Sequence, residues 1–181
     1  MHGDFMKHLI LGGARSGKSR FAETQAHTTA KQLVYVATGS AGDTEMAERI
    51  DQHQQRRGSE WLLVEEPLAL AEALSSLDDS NTTVVVDCLT LWLSNCLAEK
   101  RFEQEKTALL AVLPQLQCDV LLVSNEVGSG VVPLGELSRQ FVDASGWLHQ
   151  SLAPMCDRVT LVMAGLPLSL KNGIQDIRNE Q

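Results

Sequence analysis

The chain has 181 residues, 44% hydrophobic and 21% charged, the balance of a soluble globular protein long enough to bury a substantial core. Its formal net charge of −8 argues against an electrostatic nucleic-acid binder, so an anionic substrate needs local cations, with Arg15, Lys18, Arg56 and Arg57 as candidates. No apolar run has the length of a bilayer span, and none of signal-peptide length precedes Gly12, so neither membrane insertion nor export is expected. The four cysteines, Cys88, Cys96, Cys118 and Cys156, form no C-x-x-C pair and lie in apolar surroundings. That pattern fits buried free thiols in a reducing cytoplasm.

In chain order, Met1–Met6 read as a short extension and Leu9–Leu11 as a first strand. A glycine loop follows, and Lys18 to about Thr29 reads as a helix. Leu33–Ala37 is a β-rich run ended by Thr38-Gly39-Ser40. Asp43 to about Arg57 is read as a helix broken by Gly58-Ser59, then Trp61–Val64 as a short strand and Leu68–Leu77 as a helix. Thr82–Val86 is a strongly β-branched strand ending at Asp87. Leu89–Ala98 is apolar around most of its circumference, which places it in the core or in a subunit interface. Glu103–Leu116 is a helix that Pro114 weakens near its end, and Asp119–Ser124 is a buried strand. A Gly-rich loop, Asn125–Pro133, leads into a long amphipathic helix from Leu134 to about Leu152. Arg158–Met163 is the final strand, and the tail from Lys171 is polar. With no repeat or linker, this alternation predicts one α/β domain, a mostly parallel sheet with helices on both faces. Ligands then bind at the carboxyl ends of the strands.

Gly12-Gly13-Ala14-Arg15-Ser16-Gly17-Lys18-Ser19 fits G-x-x-x-x-G-K-[ST] between a strand and a helix, the setting a P-loop requires. Glycines let the loop turn its N–H groups inward around a phosphate chain, and the helix N-terminus aims its free donors at the same anion. Lys18 sets a cation beside the β- and γ-phosphates, and Ser19 offers a hydroxyl to Mg²⁺. Asp87, at a strand end, is placed to hold Mg²⁺ directly or through water, and the other, compatible reading is the cap of the next helix. Thr38 and Gly39 either contact a phosphate or form a plain turn. Glu126, in Asn125-Glu126-Val127-Gly128-Ser129-Gly130, is a base, a metal-shell ligand, a sugar contact or part of a polar surface loop. His53 is ringed in sequence by Arg49, Arg56 and Arg57, which favour a neutral, nucleophilic imidazole; the other reading is a solvated helix face. His2, His8, His27 and His149 have no comparable setting. Arg139, Asp143 and Gly146 belong to a subunit interface or contact substrate. Asp143-Ala144-Ser145-Gly146 spells D-x-x-G, but without strand context or an N-K-x-D motif a signalling GTPase is disfavoured.

Taken together, Gly12–Arg20, Tyr35–Thr38, Glu45–His53, Trp61 with Glu65-Glu66-Pro67, Asp87–Asn95, Ser124–Pro133, and Arg139–Gln150 with Ala164-Gly165 resemble the bifunctional adenosylcobinamide kinase/adenosylcobinamide-phosphate guanylyltransferases. The likeness runs from Lys7 to Leu170, and its specific blocks are R-I-x-x-H and S-N-E-V-G-x-G-x-V-P. It implies a RecA-like P-loop NTPase fold and a homotrimer. It also implies phosphorylation of adenosylcobinamide from ATP or GTP, then transfer of GMP from GTP to adenosylcobinamide phosphate through a guanylylated histidine, here His53. Nucleotide contacts implied beyond the P-loop are Ala37, Thr38 and Gly39, Gln54, Gln55, Arg56 and Arg57, Glu65 and Asp87. His149 stands where the resemblance leads one to expect asparagine. The competing readings are a small-molecule P-loop kinase without a covalent intermediate and a nucleotide-dependent switch protein.

Overall fold

The computed structural model describes residues 5–39 and 60–172. Strands β1 (Lys7–Gly12), β2 (Gln32–Ala37), β3 (Trp61–Glu65), β4 (Thr82–Asp87), β5 (Asp119–Asn125), β6 (Arg158–Met163) and β7 (Leu166–Asn172) form one sheet in the order β3-β2-β4-β5-β1-β6-β7. All neighbours pair parallel except β6 and β7. Helices α1 (Lys18–His27), α2 (Leu70–Ser76), α3 (Leu89–Ala98), α4 (Phe102–Val112) and α5 (Glu136–Leu152) cover it. The helix expected over Asp43–Arg57 lies outside the described residues.

The alternation of side chains along the strands divides the core in two. Ile10, Tyr35, Val85, Leu121 and Val162 meet Ala22 and Ala26 of α1 on one face. Leu9, Leu11, Val34, Val86, Leu122 and Val159 meet α2, α3, α4 and α5 on the other. Helices cover both faces as expected, one against four among the described residues. Of the two readings of α3, the core is the one observed: Leu89, Trp92, Leu93 and Cys96 are buried within the chain's own second layer.

Some boundaries move for local reasons. Glu66 Oε1 accepts the N–H groups of Leu68 and Ala69 at 2.8 and 2.7 Å, so the helix expected from Leu68 begins at Leu70. The α4 run passes into a 3₁₀ turn at Leu113–Gln115, where Pro114 cannot donate an i→i−4 bond. Lys171, expected to open a polar tail, instead completes β7 with Asn172. Lys171 Nζ donates to the carbonyls of Ala153, Pro154 and Cys156, closing the chain just past the end of α5. Met6, read as part of an extension, donates its N–H to Asp119 Oδ1 and accepts from Val120, which lengthens the β1–β5 pairing. All four cysteines are buried free thiols, and burial pushes Cys96 and Cys156 up to about 12 and Cys118 up to about 11.

At the pole of the sheet away from the P-loop, His8 is almost wholly buried. Its Nε2 lies 2.8 Å from Thr160 Oγ1 and its Nδ1 has no partner. Burial, and then Arg158, push its imidazole down to about 4. The folded state therefore holds this ring neutral where the unfolded chain, with an ordinary value near 6.5, takes up a proton. Stability from this group is complete above about pH 6.5 and is lost as pH falls toward 4, by about 3 kcal/mol in full. Urea unfolding of wild type and His8→Gln at pH 7 and pH 4.5 measures it: the wild type loses about 2 kcal/mol more than the variant over that interval. Equal losses would contradict it.

Candidate active site

The P-loop leaves β1 at Gly12 and enters α1 through Gly17. A Cβ at Gly12 would lie 2.4 Å from Ser16 Oγ and 2.5 Å from the Val162 carbonyl oxygen, so only glycine fits between the loop and β6. Gly17 has φ +94°, in the left-handed region that favours glycine, and its own Cβ would crowd the Gly165 backbone. Two backbone bonds fix the loop from outside: Gly165 N–H to Ser16 O at 2.8 Å and Glu126 N–H to Gly12 O at 3.0 Å. Inside, Lys18 is buried and donates to Gly13 O at 3.1 Å. Ser16 Oγ is buried without a hydrogen-bond partner. A cradle that holds a lysine folded back on its own backbone and an orphaned hydroxyl is built for an anion. Gly13, Ala14 and Arg15 form its exposed outer wall, and Ser19 follows Lys18 half-buried on α1.

Parallel register brings the other expected residues to the same edge. Ala37 pairs with Glu65 on one side and Asp87 on the other, and Gly12 pairs with Asn125. Glu65 is exposed at the end of β3. Asp87 does not cap α3. Cys88 holds the N-cap position, while Asp87 Oδ2 accepts the Tyr35 hydroxyl at 2.7 Å. Between the two readings of Asp87, the geometry leaves a carboxylate oriented by Tyr35 at the ligand edge. Thr38 is fully buried: its hydroxyl donates to Cys88 O at 2.6 Å and accepts the Cys88 N–H at 3.0 Å, next to the cis Asp87–Cys88 peptide. Its side chain is thus spent on joining the ends of β2 and β4, and Ala37 and Gly39 offer backbone only. His53, Gln54, Gln55, Arg56 and Arg57 lie outside the described residues.

The sequence reading missed that α3 is a clamp. Asn95 Nδ2 donates to Thr38 O at 2.9 Å and to Pro67 O at 3.1 Å, and Thr90 Oγ1 accepts the Asn125 N–H at 2.7 Å. Thr90 and Asn95, two of the three polar residues in an otherwise apolar helix, were the available signal. Glu126 lies beside the P-loop. Its carboxylate accepts the amides of Gly128 at 2.7 Å and Ser129 at 3.2 Å, and hydrogen bonding from the Ser129 side chain, then from those amides, holds it below the usual carboxylate range. Glu126 and Ser129 join Gly13, Arg15, Ser16 and Met163 around a cavity of about 360 Å³. Arg139, in the first turns of α5, is occupied by the preceding loop, donating to Pro133 O at 3.2 Å and to Leu134 O. Asp143 is exposed on α5, and open space surrounds the Gly146 Cα.

With this geometry in place, residues 8–170 match the model of a family described as cobinamide kinase / cobinamide phosphate guanyltransferase. The chain belongs to that family. It is 53% identical over 169 residues to the bifunctional adenosylcobalamin biosynthesis protein CobP of Pseudomonas aeruginosa, covering 92% of this chain and 98% of that one. It is 35% identical to the bifunctional adenosylcobalamin biosynthesis protein CobU of Escherichia coli, covering 92% and 100%. Among solved structures, one described as "Structural study of Project ID PH0250 from Pyrococcus horikoshii OT3" shares the fold, at TM-score 0.57 and 10% identity over 94% of this chain and 88% of that one. The mostly parallel α/β sheet with helices on both faces expected from the sequence is therefore the fold of this family member, and its transferase chemistry is that of a kinase and guanylyltransferase.

Proposed function

We propose that one P-loop at this sheet edge serves both reactions of the family in a single-domain enzyme. In the first, the aminopropanol hydroxyl of adenosylcobinamide attacks the γ-phosphorus of ATP or GTP. In the second, His53 attacks the α-phosphorus of GTP, pyrophosphate leaves, and adenosylcobinamide phosphate attacks the resulting phosphoramidate, giving adenosylcobinamide-GDP. Splitting the second displacement in two gives each step a good nucleophile and a positioned leaving group. The observation that carries this reading is the anion cradle of Gly12–Ser19, with buried Lys18 and orphaned Ser16 Oγ, at the edge that also holds Ala37, Glu65 and Asp87.

The residues present fit Mg²⁺. Ser19 and Asp87 are hard oxygen donors at that edge, and only one Asp87 oxygen is taken by Tyr35. Among the described residues no cluster of three or more His, Cys, Asp or Glu is placed to hold a metal, and a cation shared with phosphates needs only one or two protein ligands. Bound there, Mg²⁺ would neutralise polyphosphate charge. Lys18 does the same from the protein side, while Gly39, Glu65 and the Gln54–Arg57 segment contact the nucleotide by family resemblance.

The working unit we propose is a homotrimer. Val131, Val132, Leu134 and Leu137 before and within α5, and Met163, Leu166 and Leu168 of the β6–β7 hairpin, are large apolar side chains left exposed, Leu134 at 98%. Sedimentation should give three chain masses. Buried thiols with raised pKa values suit a reducing cytoplasm, and no helix among the described residues is long and apolar enough to cross a membrane. Turnover of ATP and GTP with and without cobinamide tests the activity. Nucleotide consumption that rises only with cobinamide supports it, and slow hydrolysis indifferent to cobinamide would replace it with a switch.

A further inference from the structure

His149 reaches from α5 to the carboxyl end of β5, where its Nε2 lies 2.8 Å from Ser124 Oγ. Ser124 is buried, with its hydroxyl 3.4 Å from Thr90 Oγ1, the atom that receives the Asn125 N–H. The next residue, Glu126, donates its N–H to Gly12 O and folds its carboxylate onto Gly128 and Ser129. Three consecutive residues, Ser124, Asn125 and Glu126, thus run from a histidine on α5 to the first residue of the P-loop. The other flank of the ring borders a largely apolar groove of about 510 Å³, lined by Leu9, Leu11, Val159 and Lys171 among others. The charged groups facing the ring are Glu126 from the β5–α5 connection and Lys171 from β7, whose Nζ is committed to three carbonyls. Burial pushes the imidazole below its ordinary range, against the pull of Glu126. A hydroxyl can donate to or accept from the ring nitrogen, so the contact holds in either tautomer.

The sheet order separates two flanks of the P-loop. Ala37, Glu65 and Asp87 end β2, β3 and β4 on one side of it. The pinned segment ends β5, next to β1, and with the β6–β7 turn it lines the cavity against Gly13–Ser16. We propose that His149 is a positioning residue for both transfers, holding Ser124–Glu126 against the P-loop that serves them. The inference rests on the assignment of both transfers to this P-loop.

The test is His149→Leu, His149→Gln and Ser124→Ala in the full chain, each assayed separately for cobinamide phosphorylation and for guanylyl transfer to cobinamide phosphate. His149→Leu and Ser124→Ala lower kcat for phosphorylation and for guanylyl transfer together, each by about tenfold, with nucleotide KM within about twofold of wild type. His149→Gln, whose amide reaches the Nε2 position, recovers both reactions to within about threefold. His149→Leu combined with Ser124→Ala is no worse than either alone, because both break one contact. Unchanged activity in either reaction, or no recovery in His149→Gln, overturns the proposal. If wild type itself fails to phosphorylate cobinamide, the two-reaction assignment fails instead.

Discussion

Lys18→Ala lowers cobinamide phosphorylation and guanylyl transfer together, each by about 10²–10³-fold in kcat/KM, the range for removing one preorganised charge-stabilising donor. Both displacements move negative charge onto the same polyphosphate. In the first it accumulates on the β-phosphate as the γ-group departs, and in the second on the β,γ-pyrophosphate as the α-phosphorus is attacked. A buried ammonium already held against Gly13 O stabilises either with little reorganisation. Alanine is a strong helix former and leaves Gly17 to open α1 as before, so the fold survives the change. Steady-state kinetics of each half-reaction checks this. Retention of full activity in either would mean that reaction uses a different phosphate site.

His53→Ala separates the reactions that Lys18→Ala joins. Guanylyl transfer falls by about 10⁴-fold or more, as for removal of a covalent nucleophile, while cobinamide phosphorylation stays within about threefold of wild type. The asymmetry follows from the proposed chemistry: phosphorylation is a direct displacement by a substrate hydroxyl, and only the guanylyl step needs a protein nucleophile. Equal loss in both assays would assign His53 a binding role. A variant with full guanylyl transfer would remove the covalent route.

The P-loop and the central strands were legible in sequence because each is a local solution to a strong constraint. β1, β2, β4 and β5 are buried on both faces and read as unbroken apolar runs. Gly12 and Gly17 sit where a Cβ would strike the chain or φ is positive. β7 was not legible. It is an antiparallel edge strand, mostly exposed, with Pro167 and Lys171 of the kind that keep edges from pairing further, and so it reads as a loop and tail. The polar wiring of the site was hidden for a different reason. Thr38 with Cys88, Asn95 with Thr38 and His149 with Ser124 are contacts between residues 50, 57 and 25 positions apart, and none leaves a spacing pattern in the chain. His149 has no sequence neighbour that marks it, yet its ring is pinned to the end of β5.

The central claim, that one P-loop anchors displacements at two phosphorus atoms and that the second passes through His53, is tested most directly by intact mass. Wild-type protein incubated with GTP and Mg²⁺ gains the mass of one GMP. The adduct is lost in acid, as a phosphoramidate is, and disappears on adding adenosylcobinamide phosphate. His53→Ala gains nothing. Folded, active wild type that turns GTP and adenosylcobinamide phosphate into product without ever carrying GMP would contradict the account.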